Sequence, residues 1–128
     1  MMNTYATNHK NMKYRGYYKG YYFEYSFELA FIIYNLEHNI FFKRCNKHFE
    51  YLSSFDNKKH LYFPDFELED GTIIEIKGQV TDVVFDKINA VKDKGYNILL
   101  LTQTELMPYI RYCVKKYGNN YLEKLKNI

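Results

Sequence analysis

The segment LYFPDFELEDGTIIEIK, residues 61–77, contains two apolar runs separated by the tripeptide EDG at positions 69–71. Residues 61–68 and 72–77 are rich in aromatic and β-branched side chains, which favours two strands. Three-residue hairpin loops commonly end in a glycine, because glycine adopts the left-handed conformation without strain. The segment therefore predicts a β-hairpin, and the rest of the fold is arranged around it.

The pairing of this hairpin follows from side-chain parity, because alternate side chains of a strand point to opposite faces of the sheet. Pairing Phe66 with Ile74 brings the two apolar faces together. The same register sets Asp65 opposite Glu75, with Lys77 two residues further along the same face. The predicted apolar face comprises Tyr62, Phe66, Leu68, Thr72, Ile74 and Ile76.

Two carboxylates that face each other across a hairpin have Cβ atoms about 4.5–5.5 Å apart and repel each other unless a cation lies between them. A hard divalent cation with oxygen ligands removes this repulsion, so the arrangement suits Mg²⁺ better than zinc. The alternative is a solvated sheet face that carries an Asp/Glu/Lys cluster. Pro64 cannot donate a hydrogen bond to a ladder and is a candidate position for a bulge in this register.

Further elements are predicted before the hairpin. Residues 24–38 carry apolar side chains at helical spacing, and Asn39 can close that helix in a left-handed conformation. Residues 40–52 favour one bent strand or a hairpin, with a polar interruption at 44–48.

A helix, a strand and a second helix are predicted after the hairpin. Thr81 is suited to begin a helix and Gly95 to end it. Residues 97–101 form a continuous apolar run typical of a strand covered on both faces, which predicts a right-handed βαβ crossover. Thr102 with Glu105 can form a capping box for the last helix. The sequence thus predicts a single α/β domain, a mixed sheet flanked by helices in the order α-β-β-β-α-β-α.

Residues 1–23 are predicted to be a basic, tyrosine-rich arm that precedes a domain at 24–128. They contain four cations and no acid, so the net charge of +3 leaves the remaining chain slightly acidic. Interleaved cations and tyrosines suit phosphate pairing and base stacking, which makes nucleic acid the expected partner. The alternative is a solubilising tail whose tyrosines pack on the domain. The candidate nucleic-acid-binding residues are Lys10, Lys13, Arg15, Lys19, Tyr17 and Tyr18.

Several classes of protein are disfavoured. No apolar run approaches the ~18 residues of a membrane span, so a cytoplasmic protein without membrane contact is expected. Two distant cysteines predict neither a disulfide framework nor a zinc site. The four histidines lack metal-ligand spacing, and no phosphate-binding glycine loop is present.

Pro64-Asp65 on one strand, followed by Glu75-Ile76-Lys77 on the next and then by a crossover helix, resembles the PD-(D/E)XK nuclease superfamily. This resemblance covers about residues 24–117 and implies a restriction-endonuclease-like core. The helix stretch SFELA at 26–30 further resembles small phage-type nucleases of that superfamily, including homing-endonuclease-like and very-short-patch-repair-like proteins.

By that resemblance, Asp65 and Glu75 would ligate Mg²⁺, with Mn²⁺ as a substitute, and Glu28 would contribute a third carboxylate from the first helix. Lys77 would orient or deprotonate the attacking water. Gln79 continues the parity of Lys77 and is a secondary candidate for contact with substrate or water. Glu28 has an alternative role as a first-turn acid favoured by the helix dipole, and Glu24 is an alternative for the functional position.

The resulting expectation is a Mg²⁺-dependent DNA endonuclease of phage or mobile-element type. A Holliday-junction or mismatch-nicking nuclease would use the same residues. Two functions of different classes stay open, a catalytically silent nucleic-acid-binding module and a protein-interaction domain. One active centre cuts one strand, so double-strand cleavage would require a homodimer or two successive nicks.

Overall fold

The structure is a computed structural model that describes residues 10–128. These residues form two compact units: a central unit, Phe41–Leu101, and a terminal unit that combines residues 10–40 with Thr102–Ile128. Each unit contains both helices and strands, which confirms the predicted mixed α/β class. No helix within residues 10–128 is long and apolar enough to cross a membrane.

The elements of the described chain are more numerous than predicted, because short strands flank the expected ones. In chain order they are β1 (Lys13–Tyr18), β2 (Tyr21–Tyr25), α1 (Ser26–Glu37), β3 (Phe42–Arg44), β4 (Phe49–Leu52), β5 (Lys59–Tyr62), β6 (Phe66–Leu68), β7 (Ile73–Ile76), α2 (Asp82–Asp93), β8 (Ile98–Leu101), α3 (Gln103–Tyr117) and α4 (Tyr121–Leu125).

The β6–β7 hairpin has the predicted register. Phe66 pairs with Ile74, and the Leu68 N–H donates to the Thr72 carbonyl at 2.9 Å. Gly71 closes the loop with φ +89°, in the left-handed region that a side chain would disfavour. Local turn chemistry and side-chain parity therefore agree at this hairpin.

The central sheet has the strand order β3-β6-β7-β8, in which β7 and β8 are parallel and the other pairs are antiparallel. Helix α2 lies between β7 and β8 in the chain, so the predicted β-α-β connection is confirmed. The sequence also predicted that both faces of β8 are covered. This prediction is wrong at Leu99, which is more than half exposed. Its side chain points to the face opposite Ile73 and Ile98, whereas Val91 of α2 packs on the face of Ile73 and Ile98.

The predicted strand at 61–68 is two strands that belong to different sheets. β5 pairs with β4 in a separate hairpin, whereas β6 pairs with β3 and β7. Pro64 lies in the break, where its missing N–H cannot serve either ladder. The parity of Tyr62 relative to Phe66 is therefore lost, and its predicted place on the apolar face is wrong.

The terminal unit begins with a β-hairpin that the sequence did not predict. β1 and β2 pair with Tyr17 opposite Tyr22, and the predicted domain boundary after residue 23 falls inside β2. Phe23 is fully buried. The described part of the predicted arm is therefore folded into the unit, while its residues 1–9 lie outside the described residues.

A charged network joins α1 to α3 in the terminal unit. The Glu37 carboxylate accepts hydrogen bonds from the Tyr112 and Tyr117 hydroxyls and from Lys116 Nζ, the last at 2.7 Å. Burial raises the pKa of Glu37, but these hydrogen bonds and the charge of Lys116 outweigh it and lower the pKa to about 2. Packing between α1 and α3 includes the stacked rings of Phe31 and Tyr109, 5.7 Å apart.

Candidate active site

Glu75 is a buried carboxylate on β7, with only 3% of its surface exposed. Its Oε1 accepts a hydrogen bond from the Tyr62 hydroxyl at 2.6 Å, and its Oε2 lies 3.2 Å from Lys77 Nζ. Burying a charge is costly unless it is paired and hydrogen-bonded. Both oxygens of Glu75 meet that requirement.

Lys77 directly follows β7 and remains fixed to the sheet. Its backbone N–H donates to the Leu101 carbonyl at 3.0 Å, which extends the parallel pairing with β8 by one residue. The Lys77 side chain is one-third exposed. Its ammonium therefore contacts Glu75, while part of the side chain remains exposed to solvent.

Asp65 reaches the same strand through its side chain. Its Oδ2 accepts a hydrogen bond at 2.7 Å from the N–H of Ile76, the residue between Glu75 and Lys77. The sequence predicted Asp65 as a ladder residue opposite Glu75, but β6 begins only at Phe66. The break at Pro64 explains the difference: Asp65 reaches β7 through its side chain, while its backbone carbonyl accepts a hydrogen bond from the Cys45 N–H at 3.2 Å on the other side.

Lys87 is a further cation near Asp65, Glu75 and Lys77, and it was not predicted from the sequence. Its Nζ lies 5.4 Å from the ring centroid of Tyr62. Burial is the main cause that lowers the pKa of Lys87, and the positive charge of Lys77 lowers it further, while Glu75 and Asp65 act in the opposite direction. Two lysines and two carboxylates therefore interact within one small region of the central unit.

A signal for Lys87 was present in the sequence. Val84, Lys87 and Val91 are spaced three and four residues apart, so they share one helical face. Val84 and Val91 are buried on that face of α2. A lysine between two core positions of a crossover helix is directed toward the sheet that the helix covers.

Tyr62 was also missed as a site residue, since its position depends on the break at Pro64. Burial is the main cause that raises the pKa of its phenol, and the charge of Glu75 and the hydrogen bond to it raise the pKa further. Tyr62 therefore stays protonated and acts as a donor. No local pattern indicated this contact, which joins strands of two different sheets.

Glu67 provides a contrast on the same hairpin. It is buried, and both of its oxygens accept hydrogen bonds at 2.8 Å from Lys47 Nζ. One lysine thus satisfies one carboxylate in a closed pair. Glu67 therefore provides a control carboxylate on the same hairpin, outside the group formed by Asp65, Glu75, Lys77 and Lys87.

The remaining predicted catalytic residues are Glu28, with its alternative Glu24, and Gln79. Glu28 lies in the terminal unit, where its Oε1 accepts a hydrogen bond from the Glu24 N–H at 3.1 Å. Glu24 belongs to β2 and not to the helix, because α1 begins at Ser26, so its predicted place one helical turn before Glu28 is wrong. Gln79 is exposed in a bend beyond the end of β7.

Among the predicted nucleic-acid-binding residues on β1, some are exposed and one is buried. Lys13, Arg15 and Tyr17 are exposed, and 55% of the Tyr17 surface is accessible. Tyr18 points to the other face and is only 2% exposed, which argues against its predicted role in base stacking. Lys10 and Lys19 are exposed outside the strand. Strand alternation thus separates the surface of this hairpin from its buried side.

No cluster of three or more His, Cys, Asp or Glu side chains suited to a metal ion occurs among residues 10–128. Mg²⁺ keeps several waters and is usually bound through one or two carboxylates. Asp65 and Glu75 fit that requirement in number and in the hardness of their oxygens. Binding by Glu75 would replace the contact between Oε2 and Lys77, while the bond from Tyr62 to Oε1 could persist.

Comparison with known proteins gives no match: no family model fits the chain, and no curated protein or solved structure is significantly similar to it. Its function is therefore inferred from the chemistry and geometry of its own residues.

Proposed function

We propose that this protein is a Mg²⁺-dependent DNA endonuclease with a restriction-endonuclease-like core. The observation that supports this most is the position of Asp65, whose carboxylate bonds the N–H between Glu75 and Lys77. The motif-like residues thus meet at residues 75–77, where Glu75 and Lys77 flank the N–H that Asp65 binds. Charged groups gathered at this density are typical of functional sites.

In this proposal Asp65 and Glu75 hold the metal ion. The ion, when bound, supplies positive charge to the phosphate and makes a bound water more acidic. Tyr62 orients Glu75 by donating to Oε1. Lys77 is released from Oε2 and directs its ammonium to the attacking water or to the phosphate.

Lys87 supplies a second positive charge at the same place. Its ammonium is held over the rings of Tyr62 and Tyr51, with Nζ 5.4 and 5.8 Å from the ring centroids. A fixed cation stabilises the negative charge that develops on a phosphate in the transition state. The exposed cations of β1 would bind the DNA backbone.

Nicking of supercoiled plasmid tests the proposal directly. We expect nicked product with Mg²⁺ or Mn²⁺ and none with a chelator. Linear product formed without a nicked intermediate would indicate paired active centres, and therefore a homodimer. Cleavage that persists in chelator contradicts the proposal. So does inactivity of folded protein on plasmid, junction, mismatch and single-stranded substrates alike.

Matched variants separate the site from general effects on the fold. Asp65→Asn and Lys77→Met should abolish nicking, because each removes one charged group of the cluster. Glu67→Gln is the control, since it also alters a buried carboxylate on the same hairpin but one paired with Lys47. Equal loss of activity in all three would show that the cluster has no special role.

A catalytically silent nucleic-acid-binding module is the second candidate, favoured by the complete pairing of Glu75 with Tyr62 and Lys77. Calorimetric titration with Mg²⁺ distinguishes the two. A nuclease should bind the ion in the wild type and bind it weakly after Glu75→Gln. A silent module should show no binding that depends on Glu75, while its affinity for DNA remains sensitive to salt.

A further inference from the structure

The tip of the β4–β5 hairpin presents a large apolar ring to solvent. Phe55 lies in the loop at residues 53–58 and is 88% exposed, the most among the exposed large hydrophobic residues of the described chain. A single exposed hydrophobic residue is ordinary on a protein surface. Phe55 differs because its loop is held rigidly and lies on the hairpin that contributes to the candidate active site.

Hydrogen bonds fix the loop on both sides of Phe55. The backbone N–H and the hydroxyl of Ser54 both donate to Asp86 Oδ2 at 2.8 Å, which ties the loop to α2. The Phe55 N–H donates to Ser53 Oγ at 3.1 Å, and the Asn57 N–H donates to the Ser53 carbonyl at 2.8 Å. The ring is therefore presented on a preorganised support, which reduces the entropic cost of binding.

The same hairpin and helix lead to the candidate active site. β5 ends at Tyr62, which donates to Glu75, and Asp86 directly precedes Lys87 in α2. At a strand rise of about 3.3 Å per residue, the tip lies roughly 15 Å along the hairpin from Tyr62. That length corresponds to about four or five base steps of a DNA strand, at roughly 3.4 Å each.

The charges next to the ring fit a nucleic acid. Lys58 and Lys59 follow it and are exposed, and Lys59 Nζ lies 3.7 Å from Glu50 Oε1. Asp56 Oδ2 lies 2.8 Å from Nε2 of His60, which carries a positive charge only when it is protonated. An aromatic ring beside cations combines base stacking with attraction to phosphates. Apolar wedges of this kind enter between base steps and unstack them.

We propose that Phe55 is a wedge that inserts at a base step of DNA bound to the candidate active site, a few steps from the cleaved bond. This inference rests on the proposed function. It assigns the hairpin tip to substrate binding and favours DNA that is easily distorted, such as flexible, mismatched or branched sites, because unstacking costs least there.

Tryptophan substitution tests the wedge, because the chain contains no tryptophan. Phe55→Trp places one fluorescent reporter at the tip, and Leu99→Trp is the matched control. Leu99 is exposed and pairs with Ile74, whose side chain points to the sheet face opposite Glu75. Duplex DNA, labelled and bound in Ca²⁺ to prevent cleavage, should quench the Phe55→Trp reporter and shield it from a soluble quencher. The fluorescence of Leu99→Trp should remain unchanged.

Phe55→Ala should weaken DNA binding by roughly 5- to 150-fold, the range for one base–aromatic stack. A fluorescent adenine analogue should brighten at one step near the cut when the wild type binds, and not when Phe55→Ala binds. Two results overturn the wedge and leave the nuclease proposal intact. One is a Phe55→Trp reporter that stays accessible to the quencher while the protein binds labelled DNA, and the second is unchanged affinity after Phe55→Ala.

Other results would contradict the nuclease proposal and support the wedge, or would overturn both. Quenching of Phe55→Trp by DNA without cleavage in Mg²⁺ or Mn²⁺ supports the wedge and contradicts the nuclease. Absence of DNA binding by the wild type overturns both. The reporter could also become shielded without DNA as the protein concentration rises. That result would assign the hairpin tip to contact between copies of the chain and would overturn the wedge.

Discussion

Glu75 in the central unit and Glu37 in the terminal unit have similar partners. Each carboxylate receives at least one tyrosine hydroxyl and one lysine ammonium. The donors to Glu37 all come from α3, at positions 112, 116 and 117. The donors to Glu75 come from β5 and from the end of β7, and Asp65 and Lys87 add further charges there.

The two clusters differ in the number of charged groups that they gather. Lys116 balances the charge of Glu37, and the network joins two helices of one unit. At Glu75, two carboxylates and two lysines share a partly buried region, and burying charged groups costs desolvation free energy. Under the proposed function, these additional charged groups serve the binding of a metal ion and a charged substrate.

The largest expected effect comes from exchanging each carboxylate for its amide. Glu75→Gln should lower the nicking rate by about 10²- to 10³-fold, because it removes charge from the proposed metal ligand. Glu37→Gln should leave the rate of folded protein unchanged. Initial nicking rates at saturating DNA, normalised to the folded fraction from circular dichroism, check both. Equal losses would show that the two clusters have the same role.

The next largest effect comes from removing one tyrosine hydroxyl from each cluster. Tyr62→Phe should reduce nicking by roughly 10- to 100-fold, the usual effect of losing a residue that orients a ligand. Its free energy of unfolding should also fall by about 1–3 kcal/mol, because Glu75 Oε1 is left buried without a donor. Tyr117→Phe should affect stability alone. Kinetics and urea unfolding of both variants make the comparison, and full activity of Tyr62→Phe would remove Tyr62 from the site.

Acid unfolding shows how far Glu37 stabilises the protein. Glu37→Gln should lower the free energy of unfolding by about 1–3 kcal/mol near neutral pH, since charge-assisted hydrogen bonds are lost. The pKa of Glu37 is lowered to about 2 in the folded state, against about 4.3 for an unperturbed glutamate. The contribution is therefore complete above pH about 4.3 and is lost as pH falls toward about 2. The free energies of unfolding of the wild type and of Glu37→Gln, measured over this pH range, should converge in acid. A difference that stays constant with pH would contradict this role of Glu37.

The smallest effect concerns the exposed cations of β1. The double substitution Lys13→Gln/Arg15→Gln should reduce the slope of log K against log salt by up to ~1.8 for duplex DNA, about 0.9 for each phosphate contact. Nicking at saturating DNA should be retained, because binding and chemistry lie in different residues. Deletion is unsuitable, since residues 13–18 form β1 and Tyr18 is buried. An unchanged slope would show that these cations do not contact DNA.

The hairpin at β6–β7 was predictable because its determinants are local. Parity selects the pairing of Phe66 with Ile74, and Gly71 supplies the left-handed residue of the loop. The spacing of Glu75 and Lys77 placed both on one face for the same reason, and their ion pair confirms it. Asp65 was expected beside them. The sequence did not predict that its side chain would accept a hydrogen bond from the backbone of Ile76.

The mixed α/β class, the hairpin register and the common face of Glu75 and Lys77 were all predictable from sequence, since each depends on neighbours in the chain. The tertiary structure decided that Tyr62 donates to Glu75, that Lys87 joins the cluster and that Tyr18 is buried. The break at Pro64 resets the parity between β5 and β6, so the sequence does not fix where Tyr62 points. The spacing of Val84, Lys87 and Val91 puts Lys87 on the buried face of α2, but the partners that it meets there depend on packing between elements distant in sequence. The burial of Tyr18 depends on such packing as well.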